Sequence, residues 1–198
     1  MPGRPTMSKR ILVILGHPSN QSFCAALSST YVSGARARGH DVQVLELGAL
    51  NFDPVLREGY QQQQTLEPDL LHAQGLIHWA EHLVFVFPIW WGGIPALLKG
   101  FLDRVLLPGF AFKYRRNSPF PEQLLKGRSA DLLVCMDTPP WYYRWVYRMP
   151  GLEQMRRTTL SFCGIKPKKT LTFGPVISSN TAQRDTWLRR ARMLASAS

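Results

Sequence analysis

Two short runs of apolar residues most constrain the fold of this 198-residue chain. Residues 10–15 have the sequence RILVIL, and residues 83–87 have the sequence LVFVF. Parallel strands that are covered on both faces have such continuous apolar runs, so both segments are predicted to be central strands. Three more strands are predicted at residues 42–47, 129–136 and 169–173. The first of these three alternates apolar and polar residues, as a strand near a sheet edge does.

Segments with helical periodicity separate these strands. The clearest one has apolar residues spaced three and four apart, at Ile94, Leu97, Leu98, Phe101, Leu102 and Val105. Further helices are predicted at residues 22–38, 67–80, 151–163 and 181–195. Because strands and helices alternate without a repeat or a linker, the chain is predicted to be an α/β protein. We expect a doubly wound, five-stranded parallel sheet in the order 2-1-3-4-5, with helices on both faces.

Composition and charge exclude several classes of protein. No apolar run approaches the length of a membrane span, and the basic start lacks a signal-peptide core, so a cytoplasmic protein is expected. Residues 1–8 are predicted to be a disordered tail and residues 9–198 a single domain.

Lys and Arg outnumber Asp and Glu by 24 to 13, and the excess lies in the second half. Such asymmetry is typical of a solvated basic face, or of a surface for anionic lipid or an acidic protein domain. No nucleic-acid-binding motif accompanies it, so no nucleic-acid partner is expected.

The cysteines and histidines do not predict a metal site. The three cysteines are too few and too scattered for a disulfide framework or a metal knuckle, and we expect them to be reduced and mostly buried. His72, His78 and His82 lack carboxylate or cysteine partners at ligand spacing. We therefore expect these histidines at the surface, and no bound metal.

A polar turn follows the first strand and leads into a helix. Residues 16–22 supply a glycine, a histidine and several hydroxyl and amide side chains, and the helix begins near Ser22, Phe23 and Cys24. Free N–H groups and the positive end of the helix dipole bind a phosphate well, and His17 could donate a hydrogen bond to it. The alternative is that His17 is an ordinary turn residue and Ser22 a plain N-cap.

A second turn, rich in aromatic residues, follows the third strand. Pro88, Ile89, Trp90 and Trp91 come directly after the apolar run, and two glycines follow them. In open α/β sheets the ligand crevice lies outside the carboxyl ends of the strands, so this turn is predicted to line a planar heteroaromatic cofactor. The alternative is that both tryptophans fill a core or a dimer interface. Adjacent residues on an extended chain cannot share one environment, so we expect one tryptophan to serve the site.

These two turns carry a resemblance to a known family. The sequences HPSNQSF, residues 17–23, and FPIWWGGIPALLKGFLDRVLLPGFAF, residues 87–112, resemble the NAD(P)H:quinone oxidoreductase family. These flavodoxin-like flavoproteins are related to DT-diaphorase and include the ancillary oxidoreductases of bacterial potassium-efflux systems. The resemblance implies a flavodoxin-like fold and a homodimeric enzyme that contains FMN or FAD. Such an enzyme carries hydride from NAD(P)H to quinones or similar flat acceptors by a ping-pong route.

The resemblance also implies which residues hold the cofactor. The phosphate or ribityl chain would be held by His17, Ser22, Phe23 and Cys24, and the flavin ring by Pro88, Ile89, Trp90 and Trp91. The short chain favours FMN slightly over FAD, and both remain open.

A third turn, after the fourth strand, departs from the family pattern. The family often has Thr-Thr-Gly-Gly here, whereas this chain has Asp-Thr-Pro-Pro at residues 137–140. Neither proline has an N–H to donate, so the reduced flavin must find another partner, for which Thr138, Tyr142, Tyr143 and Arg144 are the candidates. Tyr142 or Tyr143 matches a family tyrosine implicated in hydride transfer, so both are predicted catalytic residues. The family's histidine partner is missing, because no histidine follows His82.

A second function of another class is a flavin-binding regulatory or ancillary subunit of a membrane transporter. The basic second half of the chain motivates this alternative, since it could dock on an acidic domain or on anionic lipid. An electron-transfer flavodoxin is a weaker third possibility, because those proteins are usually acidic and lack the tryptophan-glycine turn.

Overall fold

The computed structural model describes residues 8–62, 64–116, 118 and 120–196. Its centre is a parallel sheet formed by β1 (Arg10–Leu15), β2 (Asp41–Glu46), β3 (His82–Pro88), β6 (Ser129–Cys135) and β7 (Lys166–Phe173). A short antiparallel hairpin, β4 (Phe112–Lys113) with β5 (Glu122–Gln123), forms a separate sheet. The order β2-β1-β3-β6-β7 confirms the predicted order 2-1-3-4-5 when the hairpin is left out. The predicted tail at residues 1–8 falls almost wholly outside the described residues.

Burial follows the strand patterns of the sequence. Every residue of β3 is buried, and in β1 only Arg10 is exposed. The edge strand β2 buries only Val42 and Leu45, which lie on opposite faces, so it is exposed as an edge strand is but does not keep the predicted alternation. The three central strands therefore supply apolar side chains to both faces of the sheet.

Helices cover both faces, as predicted. One face packs against α1 (Phe23–Arg36) and α6 (Thr181–Ala195). The other packs against α2 (Pro68–Trp79), α3 (Ala96–Val105) and α5 (Pro150–Glu153), which continues as a π-helix over Gln154–Ser161. A short helix, α4 (Pro140–Trp145), follows β6.

The expectation that His82 lies at the surface is wrong. His82 begins β3 opposite Ser129 of β6, and its side chain is buried. Its Nδ1 lies 2.8 Å from Ser129 Oγ, and its Nε2 lies 3.3 Å from Asp131 Oδ2. Asp131 also accepts the amide of Lys169, so the carboxylate is held between two strands. Among the described residues, neither a set of metal-binding side chains nor a helix able to cross a membrane is found.

A buried arginine anchors the segment between β2 and α2. Arg104 of α3 is fully buried and donates to the carbonyl oxygens of Asp53 and Thr65. Its guanidinium also pairs with Glu67 at 2.8 Å. Burial raises the pKa of Glu67, but hydrogen bonds from the Asp53 and Glu67 amides and from Arg104 lower it overall. Arg104 thus ties an irregular segment to the helix that follows β3.

Replacing Arg104 with Met should lower the free energy of unfolding by about 3 kcal/mol, because the backbone oxygens and Glu67 lose their shared donor. Because the pKa of Glu67 is lowered, its charged form stabilises the fold above the usual carboxyl pKa. That contribution is lost as the pH falls through the lowered pKa, so the difference between wild type and Arg104→Met should shrink in acid. Urea denaturation across this pH range measures both effects.

Arg57→Met, which breaks an exposed pair with Asp53, is the control and should cost less than about 1 kcal/mol. An equal loss for the two variants would contradict the anchoring role.

Candidate active site

The turn after β1 builds an anion-binding helix start. The amide of Gly16 donates to the carbonyl of Val86 at 2.8 Å, which ties this turn to β3. Ser22 caps α1, and its Oγ accepts the amide of Ala25 at 3.2 Å. The amides of Phe23 and Cys24 in the same turn have no acceptor within the helix. Together with the helix dipole they can bind a phosphate.

His17 links this turn to the tryptophan turn. Its Nδ1 lies 2.9 Å from the Ser19 amide nitrogen and 3.0 Å from the Ser19 carbonyl oxygen, so Ser19 occupies this nitrogen and Nε2 is left for a ligand. The imidazole ring lies 5.5 Å from the ring of Trp90 in an edge-to-face arrangement. The turns after β1 and β3 therefore meet at the rings of His17 and Trp90.

The turn after β3 is a tight reversal at Trp91 and Gly92. Trp90 and Gly93 exchange two backbone hydrogen bonds, of 3.0 and 2.9 Å. Trp91 has φ of 52° and Gly92 has φ of 77°, the pair of positive values that a type I′ turn requires. This conformation costs a non-glycine residue roughly 1–3 kcal/mol. It places the Trp91 side chain at the tip of the turn, fully exposed at 106%, whereas Trp90 is 45% exposed.

A cleft of about 150 Å³ lies between the two turns, and we call it the first cleft. The predicted cofactor residues that line it are His17, Ser22, Phe23 and Cys24 from the first turn, and Pro88, Ile89 and Trp90 from the second. Its remaining wall comes from Cys135, Met136 and Asp137 after β6 and from Val176 after β7. The first cleft thus combines a helix start that suits an anion with an apolar and aromatic wall.

A second cavity, of about 480 Å³, adjoins the first cleft. Its lining includes Trp91 and Thr138, the two predicted cofactor residues that the first cleft lacks, together with Tyr147. Ile89 lines both spaces, so they are neighbours at the carboxyl end of the sheet. The structure therefore separates the two tryptophans, with Trp90 in the first cleft and Trp91 in the second cavity.

The two tyrosines predicted to be catalytic lie in different environments. Tyr143 is 1% exposed; its hydroxyl donates to the Gly92 carbonyl at 3.0 Å and accepts the Gly151 amide at 3.1 Å. Burial raises its pKa. These bonds leave the hydroxyl no open face for a substrate, so the geometry of Tyr143 suits support of the tryptophan turn rather than catalysis. Tyr142 is partly buried, lines neither space, and packs against Tyr147 at 5.1 Å.

The predicted site residues do not include two residues that the structure places at or beside the site. Tyr147 lines the second cavity and is 49% exposed. The guanidinium of Arg184 lies 5.7 Å above the ring of Phe23, beside the start of α1, where it adds positive charge. Arg184 is held by a 2.8 Å bond from its Nε to Ser179 Oγ. The signal for Tyr147 was its place after β6, but Arg184 is distant in sequence, and only the fold brings it to the first turn.

The residues present fit a flavin. The helix start of α1 offers amide donors for its phosphate, and Pro88 to Trp90 offer a wall for its flat ring. After β6, Pro139 is the N-cap of α4 and Pro140 its first residue, so neither supplies the amide found in the family pattern. Thr138, directly before these prolines, is then the residue nearest in sequence with a side-chain donor. The fold and these joined spaces define an α/β protein with its ligand crevice at the switch point of the sheet.

Comparisons with known proteins agree with this class. The chain matches a family model described as a flavodoxin-like fold over residues 9–195. An uncharacterized NAD(P)H oxidoreductase of Haemophilus influenzae is 35% identical over 170 residues, which cover 83% of each chain. The NAD(P)H:quinone oxidoreductase of Methanothermobacter marburgensis has a TM-score of 0.81 at 25% identity, with 96% of each chain covered. General stress protein 14 of Treponema denticola, solved in complex with FMN, has a TM-score of 0.63 at 25% identity, covering 95% of this chain and 96% of its own. The chain belongs to this family of flavodoxin-like proteins.

Replacing Tyr143 with Phe should loosen the tryptophan turn, because the Gly92 carbonyl and the Gly151 amide lose a buried partner. The free energy of unfolding should fall by about 1–2 kcal/mol. Hydrogen exchange of the Trp90 and Gly93 amides should accelerate, since their mutual bonds close this turn. Tyr60→Phe, at an exposed tyrosine that lines neither space, is the matched control and should change neither measurement. Unchanged exchange in Tyr143→Phe would show that the hydroxyl does not hold the turn.

Proposed function

We propose that this protein is a flavin-dependent NAD(P)H oxidoreductase that passes hydride to quinones or similar flat acceptors by a ping-pong mechanism. The observation that carries the proposal is the junction of the two turns, where the His17 and Trp90 rings are 5.5 Å apart. At that junction the start of α1, which would bind the phosphate, lies beside an aromatic wall, and the second cavity adjoins the same wall at Ile89. Family membership and the named oxidoreductases among its relatives support the same activity.

The first cleft would hold the cofactor. The amides of Phe23 and Cys24 and the Nε2 of His17 would bind the phosphate, with Arg184 adding positive charge nearby. Pro88, Ile89 and Trp90 would lie along the ring. A bound flavin supplies a ring that accepts hydride from NAD(P)H and delivers it to the acceptor. We propose FMN rather than FAD, because the first cleft has one helix start for a phosphate and one wall for a ring. A relative solved in complex with FMN supports this choice.

The second cavity would receive NAD(P)H and the acceptor in turn. Trp91 and Tyr147 present flat faces there, and Thr138 offers a hydroxyl. Aromatic walls bind flat molecules with little discrimination between them, so several quinones, and nitro or azo compounds, should be accepted. The chain's own contribution to rate is then mainly positioning, which orients the reacting rings and excludes water.

We assign proton donation to the acceptor to Tyr147, because its hydroxyl belongs to a side chain that lines the second cavity. Tyr142, predicted as catalytic, would act as a positioning residue, because its ring packs edge-to-face against that of Tyr147. Tyr143 would hold the tryptophan turn in place through its bonds to Gly92 and Gly151.

Purified protein tests this proposal directly. A yellow protein that releases FMN of the expected mass, and that oxidises NADH or NADPH faster when menadione is added, is the expected result. A colourless protein that takes up neither FMN nor FAD on reconstitution would contradict it. Double-reciprocal plots at several menadione concentrations should be parallel, as a ping-pong mechanism requires.

Matched variants assign the activity to the site. Trp90→Ala should weaken FMN binding about tenfold, and Trp90→Phe, which keeps a ring, should restore most of it. Phe120→Ala, at an exposed aromatic residue outside both spaces, should change nothing. Tyr147→Phe should slow reduction of menadione in rapid mixing while leaving the reductive step with NADH unchanged. An equal effect of Trp90→Ala and Phe120→Ala would place the cofactor elsewhere.

We propose that the protein is a homodimer whose partner covers the aromatic rim of the second cavity. Trp91, Trp141, Trp145 and Tyr147 are all about half or more exposed and follow strands that end at one edge of the sheet. Exposed aromatic clusters of this kind mark interaction surfaces. A second copy over this rim would exclude water from the acceptor.

A second candidate function is the ancillary subunit of a membrane transporter, with redox activity secondary. The observation that favours it is a row of exposed basic residues on β7 and α6, comprising Lys166, Lys168, Lys169, Arg189, Arg190 and Arg192. Such a face can dock on an acidic protein domain or on anionic lipid.

Sedimentation velocity and vesicle flotation distinguish the two surfaces. The enzyme proposal expects a dimer at micromolar concentration that does not float with phosphatidylserine vesicles at moderate salt. A protein that floats at low salt and is released as salt rises would favour a docking role for the basic face. A monomer at all concentrations would contradict the homodimer.

A further inference from the structure

Two thiols lie in the wall of the first cleft. Cys24 and Cys135 both line it, and they are only 2% and 4% exposed. Both belong to the apolar cluster between the sheet and α1. The neighbouring Cys24 thiol, followed by burial, raises the pKa of Cys135 well above its usual value. The third cysteine, Cys163, belongs to the cluster on the opposite face of the sheet.

Both thiols sit on well-defined elements. Cys24 lies in the first turn of α1, and Cys135 is the last residue of β6. The amide of Ile89 donates to the carbonyl of Cys135 at 2.8 Å, which fixes this end of β6 against the tryptophan turn. The pair thus joins the helix start that would hold the phosphate to the strand beside the ring wall.

We propose that Cys24 and Cys135 form a redox-active dithiol that hydroperoxides convert to a disulfide through the first cleft. The cleft is the route because the two sulfurs are otherwise buried in the apolar cluster. A molecule that fills the first cleft therefore protects both thiols. This protection rests on the proposed function, whereas disulfide formation in the empty protein does not.

The two sulfurs take different parts in the reaction. Cys24 lies where the N–H groups of α1 stabilise negative charge, so it is the attacking group. Its sulfur attacks the terminal oxygen of the hydroperoxide, the O–O bond breaks, and the alcohol leaves with the thiol proton. Cys24 is then a sulfenic acid. Cys135, whose pKa the Cys24 thiol and burial raise, is the second nucleophile.

The second step forms the disulfide. The Cys135 sulfur attacks the Cys24 sulfur, the S–O bond breaks, and the hydroxide that leaves takes the Cys135 proton as water. In total the dithiol loses two electrons and two protons, and the hydroperoxide is reduced to an alcohol and water. A thiol reductant reverses the change by exchange.

The test uses protein freed of cofactor and treated with tert-butyl hydroperoxide, followed by non-reducing digestion and mass spectrometry. We expect one cross-linked peptide pair, Cys24 with Cys135, and an intact mass lower by two hydrogens. Cys163→Ser should give the same product. In Cys135→Ser, Cys24 should stop at the sulfenic acid, which dimedone traps, and in Cys24→Ser, Cys135 should remain a thiol.

Saturation with FMN should slow the cross-link at least tenfold. Sulfinic acids without a cross-link, or a cross-link that needs Cys163, would overturn the proposal. A cross-link in the empty protein that FMN does not slow would overturn the cleft as the route of attack. Failure of the protein to bind any flavin would contradict the proposed enzyme function. The oxidation of the cofactor-free protein would still stand as an independent result.

Discussion

The site depends on the direct parallel pairing of β1 with β3. Leu15 lies opposite Val86, so the two strands end at the same level of the sheet, and the amide of Gly16 continues the ladder to the Val86 carbonyl. The turns that leave these strands must therefore start side by side. A helix start on one side and a tryptophan turn on the other then face a common space. Any change of strand order would separate them.

The tryptophan turn is held in a strained shape by its surroundings. Trp91 adopts a left-handed conformation that is unfavourable for a bulky residue. Tyr143 and the Gly151 amide both bond to the Gly92 carbonyl, so α4 and α5 fix the turn from behind. As a result, Trp90 lines the first cleft and Trp91 lines the second cavity.

Local patterns were enough to predict the fold, and partly enough to predict the site. The apolar runs of β1 and β3 and the stripe of α3 each reflect burial within one element, which the sequence shows directly. The sequence predicts one tryptophan at the site, but which one depends on the positive φ values of Trp91 and Gly92. The role of Tyr143 depends on its bonds to Gly92 and Gly151. Arg184 and Phe23 are far apart in the sequence, and only the fold brings them into contact. Such contacts join distant parts of the chain, and no local pattern encodes them.

A crystal structure of the protein with its bound cofactor tests the central claim most directly. We expect the phosphate within hydrogen-bond distance of the Phe23 and Cys24 amides, and the ring against Pro88, Ile89 and Trp90 with its open face toward the second cavity. A cofactor bound away from the β1 and β3 turns, or a first cleft filled by the protein's own side chains, would contradict it.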